Sequence, residues 1–201
     1  MPQPVTIPPL PGPLSWDVEP AGSRLEDGAL TIDAPARTDL FHDPAGGAPQ
    51  TGAPRLLGAV DGDFQLWARV SCSFDGDFDA GALLLWSGEQ AYVKLAFEVS
   101  PAGVPGVVSV VTDGLSDDAN AFDAPVDAVW LRIARRGAAC ALHARLGDEQ
   151  WSFVRHCPLP AGGSGLRAGF LAQAPRGDGA TARFEQIGFT PERLEDLRSG
   201  V

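Results

Sequence analysis

Tyr92-Val93-Lys94-Leu95-Ala96-Phe97-Glu98 alternates with a period of two, the pattern of a β-strand that buries one face. Val93, Leu95, Phe97 and Val99 fall on one side, and Tyr92, Lys94, Ala96 and Glu98 on the other. Lys94 is the only lysine in the chain; the other fourteen basic residues are arginine. An amine, a carboxyl and a phenol on one strand face describe a polar patch on a sheet, with Lys94 and Glu98 read as neighbours in it.

The same alternation recurs on either side, most clearly in Phe64-Gln65-Leu66-Trp67-Ala68-Arg69-Val70. Strands are predicted near 29–33, 64–74, 81–87, 91–99, 107–112, 129–135, 139–146, 151–155, 166–173 and 181–189. Asp-Gly pairs at Asp27-Gly28, Asp61-Gly62, Asp75-Gly76, Asp113-Gly114 and Asp178-Gly179 supply turns that tolerate positive φ. Many short strands with almost no helical periodicity predict an all-β fold, a two-sheet antiparallel jelly-roll sandwich. One short helix is expected at the C-terminal end, with Thr190 as N-cap, Pro191 in the first turn, and Leu194 and Leu197 as its apolar stripe. The organisation expected is a proline-rich arm over 1–13, a jelly-roll domain over 14–190 and a helical tail over 191–201.

Composition narrows the function classes. With 201 residues, 44% hydrophobic and 20% charged, the chain is globular and large enough to hold a core without disulfides or structural metal. A net charge of -11 argues against nucleic acid and anionic membranes as partners. Three cysteines, an odd number, make no disulfide framework. Met1–Leu14 has no basic residue and no long apolar core, so it does not read as a secretory signal, and no run of 18 apolar residues occurs. A cytoplasmic location is expected.

The ordered pieces resemble the concanavalin A-like jelly rolls often labelled "regulation of enolase" proteins. Phe78-Asp79-Ala80-Gly81-Ala82-Leu83 is similar to that family's aromatic-Asp-Gln-Ala-Gly-Leu strand, with Ala80 in place of glutamine. Tyr92 to Glu98 resembles its Trp-x-Lys-x-x-x-Glu strand, with tyrosine for tryptophan. Ser109-Val110-Val111-Thr112, then Ser116-Asp117-Asp118, Leu131-Arg132-Ile133 with Arg135, Trp151, and Gly169-Phe170-Leu171-Ala172-Gln173-Ala174-Pro175 complete the set. The resemblance spans about residues 14–190. It implies a two-sheet jelly roll whose concave face holds a ligand, a shape whose relatives often bind or cleave glycans, and it brings Gln173 into the candidate site.

The residues then suggest chemistry. A hairpin turning at Gly88-Glu89 sets Leu85 opposite Tyr92, Leu83 opposite Lys94, Gly81 opposite Ala96 and Asp79 opposite Glu98, about 5 Å apart. Asp79, Lys94 and Glu98 would then form one cluster beside Tyr92, with Gly81 and Ala96 leaving room above the sheet. Three readings stand side by side: a structural salt bridge, a ligand site whose Lys94 and carboxyls bond hydroxyls under the Tyr92 ring, or a catalytic pair with Glu98 and Asp79 as acid and base. The stretch Ser116 to Asp123, with Asp117, Asp118 and Asn120, offers either a calcium loop or a solvated turn. The turn is preferred, and no metal or cofactor is assigned. Asp75 to Trp86 lacks the glycine and glutamate of a calcium loop. His42, His143 and His156 have no metal-binding spacing. Trp16 is a candidate lid over the concave face. Ala45-Gly46-Gly47-Ala48 and Ala161-Gly162-Gly163-Ser164-Gly165 read as surface loops.

The leading expectation is therefore a carbohydrate-binding-like module for a small-molecule or sugar ligand. An enzyme acting on a sugar or sugar-derived metabolite and a protein-interaction module are the alternatives.

Overall fold

The structure, a computed structural model, describes residues 4–159 and 165–200. Two seven-stranded antiparallel sheets face each other. The first runs in the order β1 (Leu14–Val18), β6 (Arg55–Ala59), β15 (Arg167–Gln173), β8 (Ala80–Gly88), β9 (Ala91–Val99), β10 (Pro105–Asp113), β11 (Leu115–Asp123). The second runs β14 (Ser152–Pro158), β13 (Ala139–Arg145), β12 (Val129–Arg136), β7 (Phe64–Cys72), β16 (Gly179–Thr190), β3 (Ala29–Pro35), β2 (Gly22–Glu26). A short ribbon, β4 (Leu40–Phe41) with β5 (Gln50–Thr51), lies in the segment between β3 and β6. The result is the two-sheet jelly-roll sandwich that the alternation predicts, and all ten expected strands are present.

Alternation explains where the core sits. Val93, Leu95 and Phe97 of β9 meet Phe64, Leu66, Ala68 and Val70 of β7 and Leu131 and Ile133 of β12 between the sheets. Gly81 belongs to this interior: a Cβ there would come within 2.9 Å of both Val70 and Ala182, so β8 can approach the facing sheet only with glycine at that position. The expectation that Gly81 leaves room on the ligand face is corrected accordingly.

The other face of the first sheet is only half covered. Leu40 and Ala53, both fully buried, bring the 36–54 segment down onto Leu57, Leu84, Trp86, Tyr92 and Leu171. Both ends of this cover are tied. Thr38 bridges to Ala174, while Arg55 donates to the Thr51 and Ala53 carbonyls, pairs with Asp17 at 2.7 Å and stacks 4.3 Å from the Trp86 ring.

Three further expectations change. No helix occurs among the described residues. Residues 191–200 instead cross the second sheet, where Arg132, Arg136, Gln65 and His143 bond the carbonyls of Gly200, Glu195, Glu192 and Leu197, and Leu194 is buried. Side chains of the sheet thus engage backbone carbonyls that a helix would keep for itself. Ser116–Asp123 is neither turn nor calcium loop but most of β11, paired along its length with β10. Trp16 packs against the inter-sheet core and is not a lid. In the proline-rich arm, Val5 bridges Leu14 and Ile7 is buried in the core. Ala45–Ala48 is an exposed turn, as expected, while residues 161–164 of the second glycine-rich stretch lie outside the described residues.

Candidate functional site

The β8–β9 hairpin has a one-residue bulge between Trp86 and Gly88, and this sets the register of the open face. Trp86 faces Tyr92, Leu84 faces Lys94, Ala82 faces Ala96 and Ala80 faces Glu98. Because side chains alternate, a slip of one residue exchanges the two faces. The predicted pairing is therefore corrected: Asp79 does not oppose Glu98, and Leu83 and Leu85 belong to the core.

The true register lays three open rows across the sheet. Lys94 lies between Leu84 and Val110, with Asp118 beyond Val110. Ala96 lies between Ala82 and Val108, with Asn120 next. Glu98 lies between Ala80 and Gly106, with Asp123 next. Lys94 and Glu98 of β9 and Gly106, Val108 and Val110 of β10 line a cavity of about 480 Å³. Its walls include Asp39, Phe41 and Asp43 from the covering segment, Asp118, Asn120, Phe122 and Asp123 from β11, and Phe78, Gln173 and Arg176.

Glu98 lies four positions along β9 from Lys94, about 13 Å of strand, too far for the direct pairing first expected. Gln173 of β15 links them. Lys94 Nζ, on a side chain that is 2% exposed, donates to Gln173 Oε1 at 2.8 Å and to the Leu40 carbonyl at 3.2 Å. Gln173 Nε2 donates to the Phe78 carbonyl at 3.0 Å and to Glu98 Oε2 at 3.4 Å. An ammonium has three donors, and two are used within the described residues. Burial pushes the half-buried Glu98 carboxyl up to about 7 against the pull of Lys94, and the Asp39 and Asp118 charges push it the same way.

Asp79 has a different post. Its Oδ2 accepts from the backbone N–H groups of Asp75 (3.0 Å) and Gly76 (2.8 Å), closing the turn that ends at Phe78. Phe78 holds φ at +68°, a conformation that a bulky side chain rarely adopts; it lines the cavity, with Arg176 stacked 4.7 Å from its ring centre. Desolvation raises the pKa of Asp79 above the usual carboxylate range.

Tyr92 is fully buried under the covering segment, stacked on Trp86 at 5.8 Å, with its hydroxyl 3.3 Å from Ser116 Oγ. It forms no platform in the cavity. Asp117, on the opposite side of β11 from Asp118, pairs at 2.9 Å with Arg155 of the second sheet. Of the residues singled out in the sequence, Lys94, Glu98, Asp118, Asn120 and Gln173 thus share the cavity, and Asp79, Tyr92 and Asp117 lie outside its lining. No group of three His, Cys, Asp or Glu side chains among the described residues is arranged to hold a metal.

A family profile described as "Protein of unknown function (DUF1349)" matches residues 16–192. The chain belongs to this family. The fold of this DUF1349 chain is similar to that of a functionally unknown protein from Saccharomyces cerevisiae, with a TM-score of 0.80 and 22% identity over 88% of this chain and 95% of that one. It is also similar to a xylan beta-1,4-xylosidase from Bacillus halodurans, with a TM-score of 0.66 and 14% identity over 87% of this chain and 36% of the enzyme. A third likeness is to the alginate lyase from Klebsiella pneumoniae, with a TM-score of 0.53 and 14% identity over 84% and 83%. The chain thus spans about a third of the xylosidase's length. No curated protein matches the sequence. At these identities the likenesses establish the fold.

Proposed function

We propose that the cavity on the first sheet binds a small polyhydroxylated ligand, a sugar or sugar-derived molecule. The observation that carries this reading is the Lys94–Gln173–Glu98 chain, built into the floor of a cavity of about 480 Å³, within the size range of small-molecule sites. Lys94 has a donor to spare, Glu98, Asp118 and Asn120 offer further donors and acceptors, and Phe41, Phe78 and Phe122 supply apolar wall for the faces of a ring. The fold shared with a xylosidase and an alginate lyase is compatible with sugar binding.

Calorimetric titration with neutral mono- and disaccharides tests it. Saturable binding is expected for at least one, weakened tenfold or more by Asn120→Ala, a change on an edge strand that leaves the fold intact. No binding across the panel refutes it.

One observation favours turnover as a second reading. A carboxyl with its pKa near 7 exchanges protons at neutral pH, and Glu98 lies two strand spacings, about 9–10 Å of backbone, from Asp123 across Gly106. Paired carboxyls at comparable separation cleave glycosidic bonds. Under this reading Glu98→Gln binds the ligand and releases no product, whereas wild type releases it. The interaction-module reading finds less support, since it calls for a flat apolar face.

A further inference from the structure

We propose that this cavity selects polyols carrying a protonated amine over those carrying a carboxylate, so that its ligand class is amino sugars rather than uronic acids; the proposal rests on the sugar-binding reading above. Five carboxyl groups line the cavity from three elements: Asp39 and Asp43 from the covering segment, Glu98 from β9, and Asp118 and Asp123 from β11. None of the five is ion-paired among the described residues. Of the two basic groups of the lining, Arg176 is ion-paired and Lys94 has neutral partners only. Lys94 is held by Gln173 and the Leu40 carbonyl, and Arg176 by Asp77 at 3.2 Å and the Phe78 ring.

Specificity follows from what each ligand charge would meet. A carboxylate would enter among five unpaired carboxyls that outnumber Lys94, the one lining cation without an ion-pair partner among the described residues, and like charges cost more inside a walled cavity than in water. An ammonium would find counter-charges on opposite walls. The charges act on one place, since Glu98 feels the pull of Lys94 and, opposing it, the Asp39 and Asp118 carboxylates. The net charge of -11 adds attraction at longer range for cations.

The experiment compares, in the gluco, galacto and manno series, the neutral sugar, the 2-amino sugar, its N-acetyl form and the uronate, by calorimetry at pH 7 in low salt and in 1 M NaCl. The expected order is amine tightest, about tenfold over the N-acetyl form, with the uronate weakest. The advantage should collapse in 1 M salt, where charges are screened beyond about 3 Å. Asp118→Asn, on the exposed edge strand, should cut it at least threefold. Neutral sugars binding with no amine advantage, or uronates binding as well as amines, would overturn charge selection and leave sugar binding standing. An amine advantage indifferent to salt and to Asp118→Asn would also overturn it. Absence of binding in all three series removes the sugar-binding reading itself, and the proposal with it.

Discussion

Replacing Lys94 by methionine tests the floor of the cavity. Methionine has nearly the same length and flexibility, so the volume stays filled while the donors vanish. Two buried acceptors, Gln173 Oε1 and the Leu40 carbonyl, lose their partner. Each unmet acceptor costs about 1–3 kcal/mol, and relief from burying the amine offsets part of the sum, leaving a net loss of about 3 kcal/mol. For a chain of this size that corresponds to a fall in Tm of about 6–12 °C. The assay is thermal and urea unfolding followed by circular dichroism. Adding Gln173→Leu removes one of the stranded acceptors, so Lys94→Met with Gln173→Leu should be more stable than the sum of the single changes by about 1 kcal/mol or more. Glu98→Leu as the partner should rescue less, because Gln173 stands between the two charges. A Lys94→Met protein within about 0.5 kcal/mol of wild type, or strict additivity with Gln173→Leu, would refute the reasoning.

Three further outcomes follow from the geometry. Glu98 keeps its proton up to about pH 7 in the folded state while the unfolded chain loses it near 4.5, so this group's contribution makes stability fall as pH rises through that window. Glu98→Gln should flatten the slope and exceed wild type above pH 7 by on the order of 2 kcal/mol, allowing for the solvent that reaches a half-buried carboxyl, as pH-dependent urea midpoints will report. Asp79→Ala should cost about 2–3 kcal/mol by freeing the Asp75 and Gly76 N–H groups, and Asp79→Asn distinctly less, since an amide oxygen still accepts; denaturant titration of both variants measures the difference. Leu194→Ala should cost about 2 kcal/mol and expose residues 191–200 to limited proteolysis, because that side chain anchors the segment on the second sheet.

The fold was legible because period-two alternation reports burial directly: Val93, Leu95 and Phe97 could only face a core. The edge strands β1, β2 and β11 were not, nor was β6 inside the first sheet. β11 reads Leu-Ser-Asp-Asp-Ala-Asn-Ala-Phe-Asp, which has the composition of a solvated turn, and only its pairing with Val107 to Val111 makes it a strand. The hairpin register failed by one residue at the bulge beside Gly88. A signal was present, since Leu83 and Leu85 should have been aligned with Val93 and Leu95 by apolar character rather than with Lys94 and Tyr92. The site was half legible for the same reason. Lys94 and Glu98 advertise themselves as charges on a strand, whereas Gln173 lies 79 positions from Lys94 and meets it only through the β9, β8, β15 strand order. Asp39 and Phe41 belong to a segment whose seat on the sheet no local pattern announces.

That segment divides the sheet face unequally, and the division has an architectural meaning. The row Trp86, Tyr92, Thr112, Ser116 continues the same surface that floors the cavity, but residues 36–54 sit on it. The cavity is therefore the open end of a longer trough with a plug in the other end. Its length is set by an insertion between two strands and not by the sheet. Shortening the plug would lay bare an aromatic stair of Trp86 and Tyr92 in line with Lys94, turning a cup into a furrow able to seat several linked rings while the sandwich beneath kept its register.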